Sequence, residues 1–329
     1  MHILLKKILQ CPNCQGNLLW LNEITRNESY IVSSDVKCSQ CKKTFLIKDE
    51  IGYFLSDLER NDLWEKSGSN LMKYLQENTN IKQQLMETPV EDLSPADIFF
   101  RSFIQEELGE FEKAENLTEK AQQIYTKEYL KCSKSQIEYI TNLEMPPEPI
   151  LDIASGKGYL VFELLKHKNN HIIMTDFSPT AMQANYKKLH HYNLLDKVSL
   201  LVFDARKTPF KDNSIGLMTS NLGLNNIEKP QRLLQELKRI LSGDFYSIMH
   251  FFQNNDIEHE KFLSKINLVS FNFLDNALKE FKSVNFNVSI ENTCHSFVKP
   301  TPEGNIIKAS IDGIPIHDTI MQWSIIHAR

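Results

Sequence analysis

The chain has 329 residues, 41% of them hydrophobic and 24% charged, the make-up of an ordinary globular protein long enough for one large domain and a smaller appendage. A formal net charge of −5, from 37 basic and 42 acidic side chains, excludes a surface built throughout to neutralise phosphates. The acidity is local: residues 57–148 carry ten basic and nineteen acidic side chains, whereas 1–56 and 149–329 are each +2.

The opening, "MHILLKKILQC", has lysines after its short apolar patch, the reverse of a secretory signal, and no apolar run reaches the roughly eighteen residues of a membrane span. A cytoplasmic location is expected. Four of the six cysteines follow as Cys11-Pro-Asn-Cys14 and Cys38-Ser-Gln-Cys41. Each Cys-x-x-Cys is a tight turn with converging thiolates, and two such turns complete a tetrahedral zinc site. A redox dithiol is the alternative, but two pairs imply a shared partner. No His or further Cys lies nearby, so the site is expected to be closed and structural, stapling a segment too small to fold on its own core. The runs "NLLWLNEI", "SYIVSSDVKC" and "KTFLIKDEIGYFL" are predicted as three strands, giving a zinc ribbon over 1–56. Cys132 and Cys294 stand apart and are expected to be small buried hydrophobes.

Helical periodicity follows in "DLWEKSGSNLMKYLQENTNIKQQLM", "PADIFFRSFIQEELGEF" and "NLTEKAQQIYTKEYLKCSKSQIEYITNL", where Ile124, Leu130, Ile137 and Ile140 recur at roughly helical spacing. Pro89, Pro95 and Pro146-Pro147 punctuate it. Residues 57–119 read equally well as a helical linker and as a cap over an active site.

From Pro149 strands and helices alternate: "PILDIA", "YLVFELLKHK", "HIIMTD", "SPTAMQANYKKLHHYN", "VSLLVFDA", "IGLMTSN", "QRLLQELKRIL" and "FYSIMHFF". That order predicts an α/β fold with a doubly wound, mostly parallel sheet and a ligand crevice at the carboxyl ends of its strands. Asp152, Asp176 and Asp204 sit at three of those ends. The turn "ILDIASGKG" invites a phosphate-binding reading, but a dinucleotide fingerprint begun at Gly156 meets Val161 where its third Gly is needed, and a P-loop needs Ser or Thr after its Gly-Lys, where Gly158 stands. Residues 253–329 are expected to add a helix and an antiparallel pair, "FNVSIENTCHSFV" and "TIMQWSIIHA", separated by the long excursion "KPTPEGNIIKASIDGIPIHD".

Together "LDIASGKGYL", "TDFSP", "FDARKTPF" and "SNLGLNN…LLQELKRIL" resemble the motifs of class I S-adenosylmethionine-dependent methyltransferases. The resemblance covers about residues 120–329 and implies a Rossmann-like fold with a seven-stranded sheet. Ala154 replaces the first glycine of the family's turn, and "ILSGD", with Ser242, replaces a frequent Pro-Gly-Gly. The cofactor carries a sulfonium, an ammonium and a carboxylate but no phosphate, so its site needs backbone donors and carboxylate acceptors. By the resemblance, Ala154, Gly156 and Gly158 bring the turn to the methionine part, with Asp152 near its amino end. Asp176, followed by Phe177, would accept from the ribose hydroxyls, a role strengthened because Ser178-Pro179 already caps the next helix. Asp204 and Ala205 would face the adenine, with Asn221 also on the cofactor. Tyr125 or Tyr129 would either close over it or simply pack.

Methyl transfer is an in-line displacement, so the protein chiefly aligns the reactants and excludes water. No catalytic residue is assigned outright. Asn221 and Asn225, in the loop after the fourth strand, are candidates to orient the acceptor, and His250, His190 or His191 are candidate bases. The aromatic-asparagine-proline tetrad of base amino methylation is absent. The order of ribbon and methyltransferase resembles ribosomal RNA guanine-N1 methyltransferases, but the second cysteine pair departs from their Cys and His and the middle segment is acidic. The core motifs look like the quinone and small-metabolite branch. A small or lipophilic acceptor is therefore preferred to RNA, with protein or peptide behind both, and a non-catalytic zinc adaptor that binds the cofactor is a further alternative.

Overall fold

The computed structural model describes residues 1–55, 71 and 73–329. Much of the first helical run after the ribbon lies outside them. The strands are β1 (Leu18–Arg26), β2 (Tyr30–Cys38), β3 (Thr44–Lys48), β4 (Ile51–Tyr53), β5 (Ile150–Asp152), β6 (Ile172–Asp176), β7 (Val198–Val202), β8 (Ile215–Asn221), β9 (Leu241–Phe252), β10 (Val288–Val298) and β11 (Thr319–Ala328). The helices are α1 (Thr79–Glu87), α2 (Pro95–Glu107), α3 (Phe111–Ala121), α4 (Lys127–Asn142), α5 (Tyr159–His167), α6 (Pro179–His191), α7 (Pro230–Ile240), α8 (Ile257–Lys265) and α9 (Leu274–Ser283).

The chain forms two compact units. The described parts of the first are 1–55, 134–294 and 322–329; those of the second are 71, 73–133 and 295–321. The first holds most of the continuous sheet, whose order is β1-β2-β3-β4-β7-β6-β5-β8-β9-β11-β10, while residues 295–298 of β10 and 319–321 of β11 belong to the second. Within it β5 through β11 are the seven expected strands. The pairs β7–β6, β6–β5, β5–β8 and β8–β9 are parallel. Asn287 and Arg329, flanking β10 and β11, exchange both main-chain hydrogen bonds at 3.1 and 2.9 Å, the mark of an antiparallel pair. Strand order runs from β5 to β7 on one side and from β8 to β9 on the other, so the topological switch lies between β5 and β8.

Several expectations need adjusting. Among the described residues the sheet has eleven strands, because β4 pairs in parallel with β7 and covers an edge that would otherwise expose unpaired backbone. The third ribbon strand is a hairpin of two, turning at Asp49 and Glu50, whose φ angles of 52° and 62° are those of a primed turn. The "ILSGD" segment has no loop at all: α7 ends at Ile240 and β9 starts at Leu241. Gly243 makes that possible, since a Cβ there would lie 2.2 Å from the Gly216 carbonyl oxygen. Two helices, α8 and α9, replace the one expected after β9.

Ile124 does not share a helix with Ile137 and Ile140, because a 3-10 turn over Gln122–Ile124 and the extended Tyr125 separate α3 from α4. In the second unit the buried Asp97 accepts main-chain N–H bonds from Asn305, Ile306 and Ile307 at 2.7 to 3.2 Å and a 2.6 Å bond from the Ser94 hydroxyl. These fasten the long excursion to the start of α2. Cys132 is buried, and Cys294 is half-buried with its sulfur 3.4 Å from Gln136 Nε2.

Candidate functional site

The glycine turn leaves β5 at the switch point. Ile153 still pairs with β8, its N–H bonded to the Thr219 carbonyl at 2.8 Å, and the chain then bends through Ala154 (φ 54°), Gly156 (φ 51°) and Gly158 (φ 77°). A left-handed φ costs an alanine roughly 1–2 kcal/mol, so Ala154 holds strain that the usual glycine would not. Open space surrounds Gly156 on the side a Cβ would occupy, and it is needed for its φ alone; a Cβ at Gly158 would also sit 2.5 Å from Met174 Cε.

Side chains lock the bend. Ser155 donates its N–H to the Thr175 carbonyl (2.7 Å), and its hydroxyl lies 3.1 Å from the Asp152 carbonyl and from the Thr175 N–H. Asn185 on α6 donates to the Gly156 carbonyl at 2.7 Å. Asp176, at the end of β6, accepts from the Gly156 N–H on Oδ2 and from the Ser178 N–H on Oδ1, both at 2.9 Å. Ser178 caps α6 through Ala181 N, with Pro179 in the first turn. Turn and acid are thus one hydrogen-bonded unit.

Asp152 is buried behind the turn, accepting from Thr219 Oγ1 at 2.6 Å, and burial pushes its carboxyl up to about 6. Asp204 has a different environment from the one expected. Its Oδ1 accepts from the Arg206 N–H (2.9 Å) and Nε (3.0 Å) and its Oδ2 from Arg206 Nη2 (2.7 Å), so a buried guanidinium neutralises it and an Oδ2 lone pair is what remains for a ligand. Arg206 was not singled out in the sequence, although "DAR" places it two residues from the acid. Phe177 and Ala205 are half-buried beside their acids.

Facing the glycine turn across the switch is the loop after β8. Asn221 is half-buried at the strand end, Leu222 takes φ 56°, and a Cβ on Gly223 would fall 2.7 Å from the Ala154 methyl. Ala154 and Gly223 therefore form one tight contact. Asn225 is buried and spends its amide N–H groups on the His250 carbonyl (3.0 Å), the Phe271 carbonyl (2.6 Å) and Asn272 Oδ1 (3.3 Å). It braces the loop against β9, and its Oδ1 has no hydrogen-bond partner among the described residues. His250 packs edge-to-face on Trp323 at 5.3 Å, and burial lowers its ring to about 4, so it is neutral at pH 7; its Nδ1 likewise lacks a partner among the described residues.

His190 and His191 are exposed on the last turn of α6, which leads back toward the start of β7. Tyr125 and Tyr129 stack on each other at 4.7 Å within the second unit, where Tyr125 donates to Asp312 Oδ2 at 2.8 Å.

The four ribbon cysteines converge. Their sulfurs all lie within 4.8 Å of one another, with Cys11–Cys41 at 3.6 Å and Cys14–Cys38 at 3.4 Å. Tetrahedral zinc with Zn–S bonds of about 2.3 Å needs sulfurs about 3.8 Å apart, so the donor set fits. Gln15 (φ 60°) and Lys42 (φ 62°) each follow the second cysteine of a pair, giving both turns the same left-handed exit.

Residues 151–247 match the family profile described as a methyltransferase domain. The chain is 30% identical over 128 residues, 38% of its own length, to the ubiquinone/menaquinone biosynthesis C-methyltransferase UbiE of Pseudoalteromonas translucida, and covers 50% of that protein. It is 30% identical over 96 residues, 29% of its length, to a demethylmenaquinone methyltransferase of Lactobacillus johnsonii, covering 39% of it. The chain thus spans half or less of the length of these curated relatives. Among solved structures, the YcgJ protein from Bacillus subtilis superposes with a TM-score of 0.47 at 15% identity, covering 59% of this chain and 97% of that one. The central part of the chain is similar to methyltransferase domains, and among the described residues no helix is long and apolar enough to cross a membrane.

Proposed function

We propose that the protein is an S-adenosylmethionine-dependent methyltransferase acting on a small or lipophilic acceptor. The observation that carries this is the unit formed by the glycine turn and Asp176 at the switch between β5 and β8, inside the segment that matches a methyltransferase domain. When bound, S-adenosylmethionine supplies the electrophilic methyl group. Asp176, at the end of β6, accepts from the ribose hydroxyls, with Phe177 beside it. Ala154, Gly156 and Gly158 keep side chains out of the path of the methionine part, and Asp152 offsets the charge of its ammonium. Asp204, already neutralised by Arg206, offers Oδ2 toward the adenine amine, with Ala205 leaving room.

Asn221 stands at the end of β8 between cofactor and acceptor. His250 is neutral at pH 7, and its Nδ1 can accept a hydrogen bond from an acceptor hydroxyl. Asn225 fixes the loop that carries Asn221. Holding the reactants in line is the main contribution, since alignment alone accounts for up to about 7–11 kcal/mol of a barrier. The names of the relatives, C-methyltransferases of quinone biosynthesis, support a small acceptor. Zinc at Cys11, Cys14, Cys38 and Cys41 completes the reading as a structural ion.

The test is transfer of a labelled methyl group from S-adenosylmethionine into an extract lacking the protein, separated into RNA, protein and solvent-extractable fractions. Label in the solvent-extractable or small-molecule fraction is expected. Label in nuclease-sensitive polymer would replace the acceptor assignment with RNA, and cofactor binding without label in any fraction would favour a non-catalytic adaptor.

A further inference from the structure

The ribbon does more than precede the methyltransferase sheet, because it grips both ends of one loop of the candidate site. That loop, residues 203–211, carries Asp204 and Ala205. At its start, β4 lies beside β7 and the Phe54 N–H bonds to the Val202 carbonyl at 2.8 Å. At its end, Leu9 bridges Phe210, the Lys211 N–H bonds to the Ile8 carbonyl at 2.9 Å, and Gln10 takes two successive carbonyls: its N–H holds Pro209 at 2.7 Å and its Nε2 holds Phe210 at 3.0 Å. Gln10 is buried and adjoins Cys11, whose N–H closes the first knuckle on the Gly16 carbonyl at 2.9 Å. Cys11, Phe203 and Phe210 belong to the same apolar core, with the two rings edge-to-face at 5.7 Å.

We propose that Gln10 is a positioning residue for the cofactor loop, and that metal occupancy of the four cysteines and cofactor affinity are thermodynamically linked through it. The linkage rests on the cofactor reading above. A ribbon of this size depends on its metal to hold its turns, so emptying the site frees Ile8–Gln10 and, with them, the far end of the loop. Coupling of this kind is reciprocal: whatever factor the metal adds to cofactor affinity, the cofactor adds to metal affinity.

The experiment titrates S-adenosylhomocysteine into zinc-loaded and zinc-stripped full-length protein and, in parallel, measures zinc loss to a colorimetric chelator with and without S-adenosylhomocysteine. Stripping is expected to weaken binding about tenfold, within the usual range of such couplings, and the ligand to protect the zinc by a matching factor. Equal affinity in two folded forms overturns the linkage. Where stripping unfolds the chain, zinc-loaded Gln10→Ala carries the test: unchanged zinc content with affinity reduced several-fold supports the proposal, and unchanged affinity overturns it. Amide exchange across 203–211 separates the two levels of the argument. If no form binds the ligand, the cofactor reading fails; if exchange in 203–211 is also indifferent to zinc, positioning by the ribbon fails as well.

Discussion

Gly223→Ala tests the contact across the switch point. Its new methyl would lie 2.7 Å from the Ala154 Cβ, 2.8 Å from Ser220 Oγ and 3.0 Å from the Ala154 carbonyl oxygen, so two loops that meet at the candidate site must part. Overpacking of this kind costs about 1–3 kcal/mol. Ala154→Gly alone trades relief of a left-handed alanine against the greater chain entropy of glycine and should change stability by less than about 1 kcal/mol. The double variant removes the closest of the three contacts, and a coupling of about 1–2 kcal/mol is expected between the two positions. Urea unfolding of the four proteins measures it, with equal slopes required so that midpoints report native stability. Strictly additive effects, or a Gly223→Ala protein as stable as the parent, would refute the claim that Ala154 dictates glycine at 223.

Three further outcomes follow from the geometry. Burial raises the Asp152 carboxyl to about 6, so a cationic ligand group beside it binds better once the proton is lost; cofactor affinity should rise from pH 5 to 7, and Asp152→Asn should flatten that rise in calorimetric titrations. In the ligand-free protein the sign is opposite: the folded state holds a proton the unfolded chain releases, so the Asp152 contribution is full below about pH 3.8 and is lost as pH rises through about 6. Gly158→Ala combines a φ of 77° with a 2.5 Å approach to Met174 and should cost about 2 kcal/mol or more, read as a lower urea midpoint. In the second unit, Asp97→Ala leaves three main-chain N–H groups without their carboxylate, at about 1–3 kcal/mol each for any that water does not reach; faster proteolysis within 301–316 is the expected readout.

Much of this structure was legible in the chain because its signals are local. The alternation of apolar strands and amphipathic helices after Pro149 anticipates each of β5 to β9, β8 end to end, with β5 and β7 shorter than their apolar runs and β9 starting four residues before its own, and the paired Cys-x-x-Cys spacing anticipates four converging sulfurs. What was not legible depends on partners distant in sequence. No local pattern marks β4 as the strand that pairs with β7, some 150 residues later, and so the fusion of ribbon and sheet was missed. Asn185 carries the glycine turn from the middle of a helix, where it reads as one more polar surface position, yet it is buried. Asp204 stands two residues beyond the end of β7 rather than closing it, and its neutralisation by Arg206 required knowing that the guanidinium folds back inside. The excursion after β10 reads as a free loop until the buried Asp97 is seen to hold its main chain.

The central claim is that S-adenosylmethionine chemistry is housed where the β5 turn meets Asp176. Calorimetric titration of S-adenosylhomocysteine into the wild-type protein and Asp176→Ala, with zinc content measured in both, tests it most directly. Saturable binding at one site per chain, weakened about tenfold or more in a variant that keeps its zinc, is the expected result, since hydrogen bonds to a charged acceptor contribute about 1.5–3 kcal/mol. No binding by the wild-type protein, or equal binding by the two, would contradict the account.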